Sequence, residues 1–283
     1  MTLRAGSVYL QTMRLNQFIA HNSQFSRREA DTLIESGRVR IGRTKAALQS
    51  KFSESDKIFI DGKLLKPSHN YTAIIYHKPK GEIVSKRDEL GRRTIYESLD
   101  SKFRGFSYVG RLDFASEGLL ILSDNKMLIH TLSNANLERV YNLKLDKPLS
   151  QKLLNSLNEM LESSAPITLT NIKGAHPKTT QKEMILRPFT EVTILKDSPR
   201  FPKLRVSLNE GKNRELRRFF AQFGYEILDL KRVSYGFCKL NALPCGKWRY
   251  FNKEEYKKLH LFLQDSPYHN SPRQDFQTRK AKN

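Results

Sequence analysis

Cysteine is scarce in this chain of 283 residues, which contains only Cys238 and Cys245. Two cysteines provide neither a disulfide framework nor the ligand set of a structural zinc site, so we expect ordinary thiols in a reducing cytoplasm. The seven histidines are scattered and lack the spacing of paired metal ligands. The sequence therefore predicts no metal site.

Membrane-spanning segments and cofactor-binding loops are also absent from the sequence. No apolar run approaches the ~18 residues that cross a membrane, and the first twelve residues lack the apolar core of a signal peptide. Gly-x-Gly-x-x-Gly and Walker loops are missing. We therefore expect no membrane contact and no cofactor, and an RNA methyltransferase is disfavoured because it needs a glycine-rich loop after a strand.

Acidic residues are few relative to basic ones: 29 Asp and Glu face 50 Lys and Arg, which gives a net charge of +21. Such an excess opposes self-association, so we expect a monomer, and it favours a polyanionic partner. Anionic lipid would also fit a basic surface, so charge alone does not identify nucleic acid as the partner.

A small basic module covers residues 13–67 and follows an extension, residues 1–12, that we expect to be dispensable. The module has eleven Lys and Arg and six Asp and Glu, a net charge of +5. Ser26 and Glu29 have the spacing of a capping box, which predicts the start of a helix that Gly37 ends.

Two helices followed by short strands, with arginines along the second helix, resemble the small alpha-L RNA-binding domain. The matching residues are Arg14-Leu15, Ser26-Arg27-Arg28-Glu29-Ala30, Ile34 and Gly37-Arg38-Val39. The resemblance implies a module that grips structured RNA through its phosphates, although each charge could equally be a solvated surface group. The expected phosphate ligands are Arg27, Arg28, Arg38 and Arg40.

A larger domain is expected over residues 71–263, before a basic, flexible tail at 265–283. Strand-like and helix-like segments alternate there without a regular βαβ period, which favours an α+β fold with a mostly antiparallel, mixed sheet. Asp124 is the predicted N-cap of one helix. Helices are predicted over 124–133, 150–162, 213–223 and 253–263.

The most informative segment of that domain is Gly110–Asn125, which carries Asp113 on a loop between two strand-like runs. Ser107–Val109 precedes the loop, and the apolar run Leu119–Leu122 follows it. A carboxylate on a loop that rigid elements hold is well placed for chemistry. A local turn bridge between Arg111 and Asp113 would explain the same residues.

Gly-Arg-Leu-Asp followed by a small residue, Ser-Glu-Gly and an apolar strand resembles the catalytic motif of RNA pseudouridine synthases. The branch is the one that modifies ribosomal uridines, and it also has a turn like Lys78-Pro79-Lys80-Gly81. The resemblance implies that Asp113 is the essential aspartate in the isomerisation of uridine, with Arg111 near the RNA. It also implies a reaction that needs no cofactor.

A second segment, Glu210–Arg218, resembles the late basic motif of the same family. A carboxylate in a pocket that excludes water needs a cationic partner to stay ionised, and Arg217 falls where the family places a buried arginine beside the aspartate. The resemblance puts Lys212, Arg214 and Arg218 nearer RNA. Glu215 stands where many relatives have glutamine.

Tyr141 is the third candidate for the catalytic group. Leu137–Leu143 resembles the strand that carries the family's base-stacking tyrosine, whose hydroxyl can also help to move a proton. From periodicity alone Tyr141 would be a core residue, because Tyr141, Leu143 and Leu145 share one strand face.

The sequence thus predicts a pseudouridine synthase that acts on ribosomal RNA in the cytoplasm. Within the family branch, residues Ala115–Gly118 resemble the enzymes of large-subunit RNA, and small-subunit RNA and transfer RNA are the alternative substrates. The alternative is a non-catalytic RNA-binding or ribosome-assembly protein. The two hypotheses predict different geometries, because only an enzyme must bring Asp113, Tyr141 and Arg217 to one cleft.

Overall fold

The computed structural model describes residues 14–23, 25–53, 56–65, 71–168 and 183–265. Contacts divide the chain into two compact units, one spanning residues 70–255 and one combining the chain up to residue 69 with the chain from 256 onward. This division assigns the end of the last helix to the smaller unit, whereas the sequence placed it in the larger domain. The predicted extension and residues 266–283 of the predicted tail lie outside the described residues.

Up to residue 65, the described residues of the smaller unit form two helices and a four-stranded antiparallel sheet of order β2-β1-β3-β4. Ser26 begins the second helix as predicted: its Oγ accepts the Glu29 amide at 3.2 Å, and Glu29 accepts the Ser26 amide at 2.6 Å. Its elements are α1 (Leu15–Asn22), α2 (Arg27–Glu35), β1 (Val39–Ile41), β2 (Thr44–Lys45), β3 (Ile58–Ile60) and β4 (Lys63–Leu64).

The larger unit is built on one mixed sheet, and its first half supplies the strands nearest Asp113. Asp124 does not cap the helix that follows β7. Instead Asn125 accepts the Leu128 amide at 2.9 Å, while Asp124 accepts the Thr72 amide at 2.8 Å. The elements are β5 (Ala73–Lys78), α3 (Ile95–Ser98), β6 (Ser107–Tyr108), β7 (Glu117–Ser123), α4 (Lys126–Asn134) and β8 (Arg139–Leu145).

The second half of the chain completes the sheet and adds further helices. Helix α6 buries Leu216, Phe219 and Phe220, the face that its apolar spacing predicts. The elements are α5 (Gln151–Glu162), β9 (Ala165–Thr168), β10 (Glu183–Leu186), β11 (Glu191–Lys196), β12 (Lys203–Leu208), α6 (Glu215–Gln222), β13 (Ile227–Tyr235), β14 (Cys238–Lys239), β15 (Trp248–Tyr250) and α7 (Lys253–Asp265).

Nine of these strands form the main sheet, in the order β11-β12-β8-β13-β7-β5-β15, with β14 on β13 and β6 on β7. All of the pairings are antiparallel except that of β13 with β7. The α+β class and the mostly antiparallel sheet agree with the sequence prediction. The parallel pair brings the start of β7, and hence the loop that carries Asp113, beside the middle of β13.

Candidate active site

Asp113 lies on the loop between β6 and β7, with its side chain one-third exposed (33%). Leu112 and Ser116 on either side of it are buried, and the Ser116 amide donates to the Asp113 carbonyl at 3.0 Å. The buried side chain of Leu112 anchors one side of the loop. The hydrogen bond between Ser116 and Asp113 fixes the turn on the other side, because buried main-chain groups need hydrogen-bond partners. The carboxylate is therefore held at a defined place and remains open to a substrate.

Lys78, the last residue of β5, is fully buried and donates hydrogen bonds to the loop that carries Asp113. Its Nζ donates to the carbonyls of Pro79 (2.8 Å), Asp113 (3.1 Å) and Ser116 (2.8 Å). Burial lowers the pKa of Lys78 to about 8, and Glu82 opposes the decrease. The Lys-Pro-x-Gly resemblance was the only sequence signal for this lysine, and the prediction did not assign it to the site.

Gly118 is the point where β7 meets β13 most closely. Its φ is +117°, and a Cβ atom there would lie 2.6 Å from the Arg232 amide nitrogen and closer still to the Arg232 carbonyl oxygen. Only glycine fits such an approach at such a φ. Packing therefore explains why the Ser-Glu-Gly motif ends in glycine: a residue without a side chain lets β7, the strand that follows Asp113, lie against β13.

Arg217 projects from α6 toward the loop, with its side chain 10% exposed. Its Nε lies 3.9 Å from Asp113 Oδ2, while its terminal nitrogens donate to the Ile227 carbonyl at 2.7 Å and the Ala115 carbonyl at 3.1 Å. Burial lowers the pKa of Arg217, and Arg214 adds to the decrease. Arg217 thus ties α6 to the loop as well as facing the carboxylate.

Arg214 is the cation nearest to Asp113, which differs from its predicted place closer to RNA. Its NH1 lies 3.5 Å from Asp113 Oδ2, and its side chain is 10% exposed. The residue precedes α6 in the left-handed region, at φ 52° and ψ 28°, which is unfavourable for a residue with a Cβ. The resemblance implied a place nearer RNA for Arg214, whereas the left-handed turn before the helix directs its side chain toward Asp113.

Arg218 also departs from its predicted position near RNA, because it is only 1% exposed. Its guanidinium contacts Asn213 Oδ1 at 3.4 Å and Met184 Sδ at 3.7 Å, so it has no direct route to a phosphate. Lys212 remains exposed and lies 2.8 Å from Glu210. Three arginines within five positions therefore form a buried cationic cluster rather than a surface patch.

Tyr141 occupies the centre of β8 and is buried, at 8% exposure. It pairs with Arg232 of β13, which pairs in turn with Gly118 of β7. Two strand spacings separate Tyr141 from Gly118, a backbone distance of roughly 10 Å. Burial raises the pKa of the tyrosine hydroxyl, and Arg232 opposes the rise. Tyr141 thus belongs to the same part of the sheet without a described contact to Asp113.

Exposed groups beside Asp113 are available to a substrate. Arg111 is exposed, as the sequence predicted, and Phe114 exposes 43% of its surface. The guanidinium of Arg92 lies 6.0 Å from the Phe114 ring centroid. An exposed aromatic ring can stack on a base, so Phe114 is a functional candidate that the sequence prediction overlooked.

The predicted phosphate ligands of the smaller unit differ in how much of their charge is available. Arg27, Arg28 and Arg40 are exposed. Arg38 is exposed too, but it donates two hydrogen bonds to Asp61, at 2.7 and 2.6 Å. That carboxylate competes with any phosphate for Arg38.

The sequence model of the RNA pseudouridylate synthase family matches residues 72–222 of this chain, which include Asp113, Tyr141 and Arg217. The chain belongs to this family. RNA pseudouridine synthases are isomerases that act on RNA, so the non-catalytic alternative is set aside. Among the described residues no helix is long and apolar enough to cross a membrane.

Individual relatives agree with the family match over nearly the whole chain. An uncharacterized RNA pseudouridine synthase of Helicobacter pylori is 49% identical over 255 residues, 89% of this chain and 95% of the relative. The dual-specificity RNA pseudouridine synthase RluF of Escherichia coli is 29% identical over 259 residues, 90% of this chain and 81% of the relative. A pseudouridylate synthase crystal structure superposes with a TM-score of 0.57 at 25% identity, covering 88% of this chain and 100% of that one.

Proposed function

We propose that this enzyme isomerises specific uridines of ribosomal RNA, with Asp113 as its essential catalytic group. The observation that supports this most strongly is the carboxylate of Asp113 within 4 Å of two guanidinium groups, those of Arg214 and Arg217. A partly exposed carboxylate that buried cations surround is a typical functional arrangement.

The reaction requires only rearrangement of one nucleotide. The bond from the ribose C1′ to N1 of uracil breaks, and a bond from C1′ to C5 forms. The proton on C5 leaves and N1 gains one, so atoms and electrons balance without an oxidant or a reductant. Asp113 acts as a nucleophile or as a base in this sequence.

The two arginines have separate roles in the proposal. Arg214, at 3.5 Å, balances the charge of Asp113 directly. Arg217 holds the loop through the Ala115 carbonyl and thereby orients the carboxylate. Tyr141 lines the base pocket from β8, and Phe114 stacks on the flipped base or on a neighbour.

RNA is bound mainly by exposed cations of both units. Phosphate contacts supply affinity without sequence information, and we assign this role to Arg111 and Lys212 in the larger unit and to Arg27, Arg28, Arg38 and Arg40 in the smaller one. The net charge of +21 opposes self-association, which supports a monomer. Action on ribosomal RNA implies a cytoplasmic enzyme.

Large-subunit ribosomal RNA is the favoured substrate, on the basis of the motif residues Ala115–Gly118. Mapping of pseudouridines in both ribosomal RNAs, from cells with and without the gene, tests this assignment. We expect one or more large-subunit positions to lose pseudouridine and to regain it with the wild-type gene but not with Asp113→Asn. Loss confined to small-subunit RNA or to transfer RNA would contradict the substrate assignment.

A further inference from the structure

Three potential metal ligands meet at the end of the sheet where β5 finishes and β7 begins. The side chains are those of His77, Glu117 and Cys245, and their ligand atoms all lie within 4.8 Å of one another. They provide one nitrogen, one carboxylate oxygen and one sulfur. Since they lie 40 and 128 positions apart along the chain, no sequence spacing indicated the cluster.

The sheet itself brings these ligands together. His77 pairs with Leu119 across β5 and β7, and Glu117, two residues before Leu119, shares its strand face. The turn that contains Cys245 is tied to β5 by two backbone hydrogen bonds. The Gly246 amide donates to the His77 carbonyl at 2.8 Å, and the His77 amide donates to the Lys247 carbonyl at 2.9 Å.

His77 provides independent evidence for a ligand at this place. The residue is 3% exposed, and its Nδ1 lies 2.7 Å from the Leu243 carbonyl oxygen. Because a carbonyl only accepts, Nδ1 carries a proton, and Nε2 is the ring nitrogen that remains for a ligand. That Nε2 is buried and has no hydrogen-bond partner in the described part of the chain, which is unusual for a buried polar atom.

The His77 hydrogen bond is the arrangement that orients histidine ligands in metal sites. Metal-bound histidines usually donate their second ring N–H to a carbonyl or a carboxylate, which fixes the tautomer and the ring orientation. Glu117 and Cys245 are the movable partners, because the Glu117 side chain is 26% exposed and Cys245 is exposed. Lys231 Nζ lies 3.6 Å from the Glu117 carboxylate and forms an ion pair with it.

We propose that His77 Nε2, the Glu117 carboxylate and the Cys245 thiolate bind one divalent ion of the Zn²⁺ class. Mixed nitrogen, sulfur and oxygen ligands suit zinc and exclude a preference for Mg²⁺ or Ca²⁺. Tetrahedral zinc ligands lie roughly 3.5 Å apart, so the cluster closes by about 1 Å through rotation of the two movable side chains. Solvent takes the fourth position.

The ion would join β5, β7 and the turn before β15 next to the loop that carries Asp113.

Equilibrium dialysis of the chelator-treated full-length protein against ZnCl₂ tests the proposal. We expect one tightly bound zinc per chain in the wild type. The dissociation constant should be at least tenfold higher in Cys245→Ser and in Glu117→Gln. Co²⁺ loading should give a thiolate charge-transfer band that Cys245→Ser abolishes. Lys231→Met should bind zinc more tightly, since it removes the competing cation.

Matched controls separate this site from incidental binding. Cys238→Ala, His260→Gln and Glu254→Gln remove the same ligand types elsewhere in the chain, and each should keep the bound zinc. The proposal is overturned if the wild type binds no stoichiometric zinc, or if Cys245→Ser and Glu117→Gln bind as tightly as the wild type. It is equally overturned if the cobalt band requires Cys238 instead.

Discussion

Arg217 lies 3.9 Å from the carboxylate of Asp113, but it donates its hydrogen bonds elsewhere, to the main-chain carbonyls of Ile227 and Ala115 and to the hydroxyl of Ser116. Its Nε is buried and makes no hydrogen bond within the described residues. The residue therefore joins three segments of the fold, namely α6, the start of β13 and the catalytic loop. Arg217 therefore has a structural role in addition to the role in activity that we propose for it.

Replacement of Arg217 by alanine should reduce activity and stability together. The Ile227 and Ala115 carbonyls would lose their donor, at a cost of roughly 1–3 kcal/mol in the free energy of unfolding. Urea unfolding measures that cost, and single-turnover isomerisation measures the activity. Full stability with lost activity would argue that Arg217 acts only on the carboxylate.

Arg214→Ala should abolish most activity with a smaller loss of stability, because Arg214 faces Asp113 at 3.5 Å. The matched variant Arg214→Gly removes the same guanidinium and relieves the left-handed backbone, so it should be about 1 kcal/mol more stable than Arg214→Ala. Both variants should be equally inactive. If either retains activity close to that of the wild type, Arg214 does not support the reaction and its role is RNA contact, as the sequence indicated.

Gly118→Ala should destabilise the larger unit, since the new methyl group would collide with the Arg232 backbone. Overpacking of this kind costs about 1–3 kcal/mol, in addition to the cost of a positive φ. Gly110→Ala is the control: it has φ +62° and no atom within 4 Å of the added Cβ. Urea unfolding of the two variants gives the free energy that each loses, and the difference between them measures the collision. Equal losses in the free energy of unfolding would refute the close approach of β7 and β13.

Glu215→Gln should stabilise the protein at alkaline pH. Burial raises the pKa of Glu215 to about 7, so the native state binds more protons than the unfolded state between its ordinary pKa and pH 7. That contribution to stability is present at acidic pH and is lost as the pH rises through 7.

At pH 8 the free energy of unfolding of Glu215→Gln should exceed that of the wild type by up to about 3 kcal/mol, and the difference should shrink toward pH 5. Urea unfolding at the two pH values measures it. The glutamine amide oxygen can still accept the Lys212 amide, which Glu215 accepts at 3.0 Å. An advantage that does not depend on pH would exclude titration of Glu215 as its source.

The double variant Arg27→Gln/Arg28→Gln should weaken RNA binding and make it less sensitive to salt. Each lost phosphate contact reduces the slope of log affinity against log salt by about 0.7–0.9, so a total change of about 1–2 is expected. Lys152→Gln, an exposed cation on α5, is the control. An unchanged slope in the double variant would show that α2 does not contact the RNA backbone.

The sequence was most informative where a local pattern determines the structure. The capping box at Ser26 and the buried face of α6 could both be predicted, because short-range geometry decides them. Asp113 was identified from its motif, and the family match is consistent with that identification.

The parts that the sequence did not reveal depend on contacts between distant segments. Lys78 and Arg232 are ordinary basic residues in the sequence, and only the packing of β5, β7 and β13 buries them around the catalytic loop. Arg214, Arg217 and Arg218 share one pattern, and a left-handed residue before α6 decides which of them faces Asp113. The ligand cluster of His77, Glu117 and Cys245 depends wholly on strand register.

The most direct test of the account is single-turnover conversion of a uridine-containing ribosomal RNA fragment by Asp113→Asn, with RNA affinity measured in parallel. The account predicts no detectable pseudouridine and an affinity close to that of the wild type, because the carboxylate acts in the chemical step and adds little to binding. Substantial residual conversion by Asp113→Asn would contradict the central role assigned to Asp113.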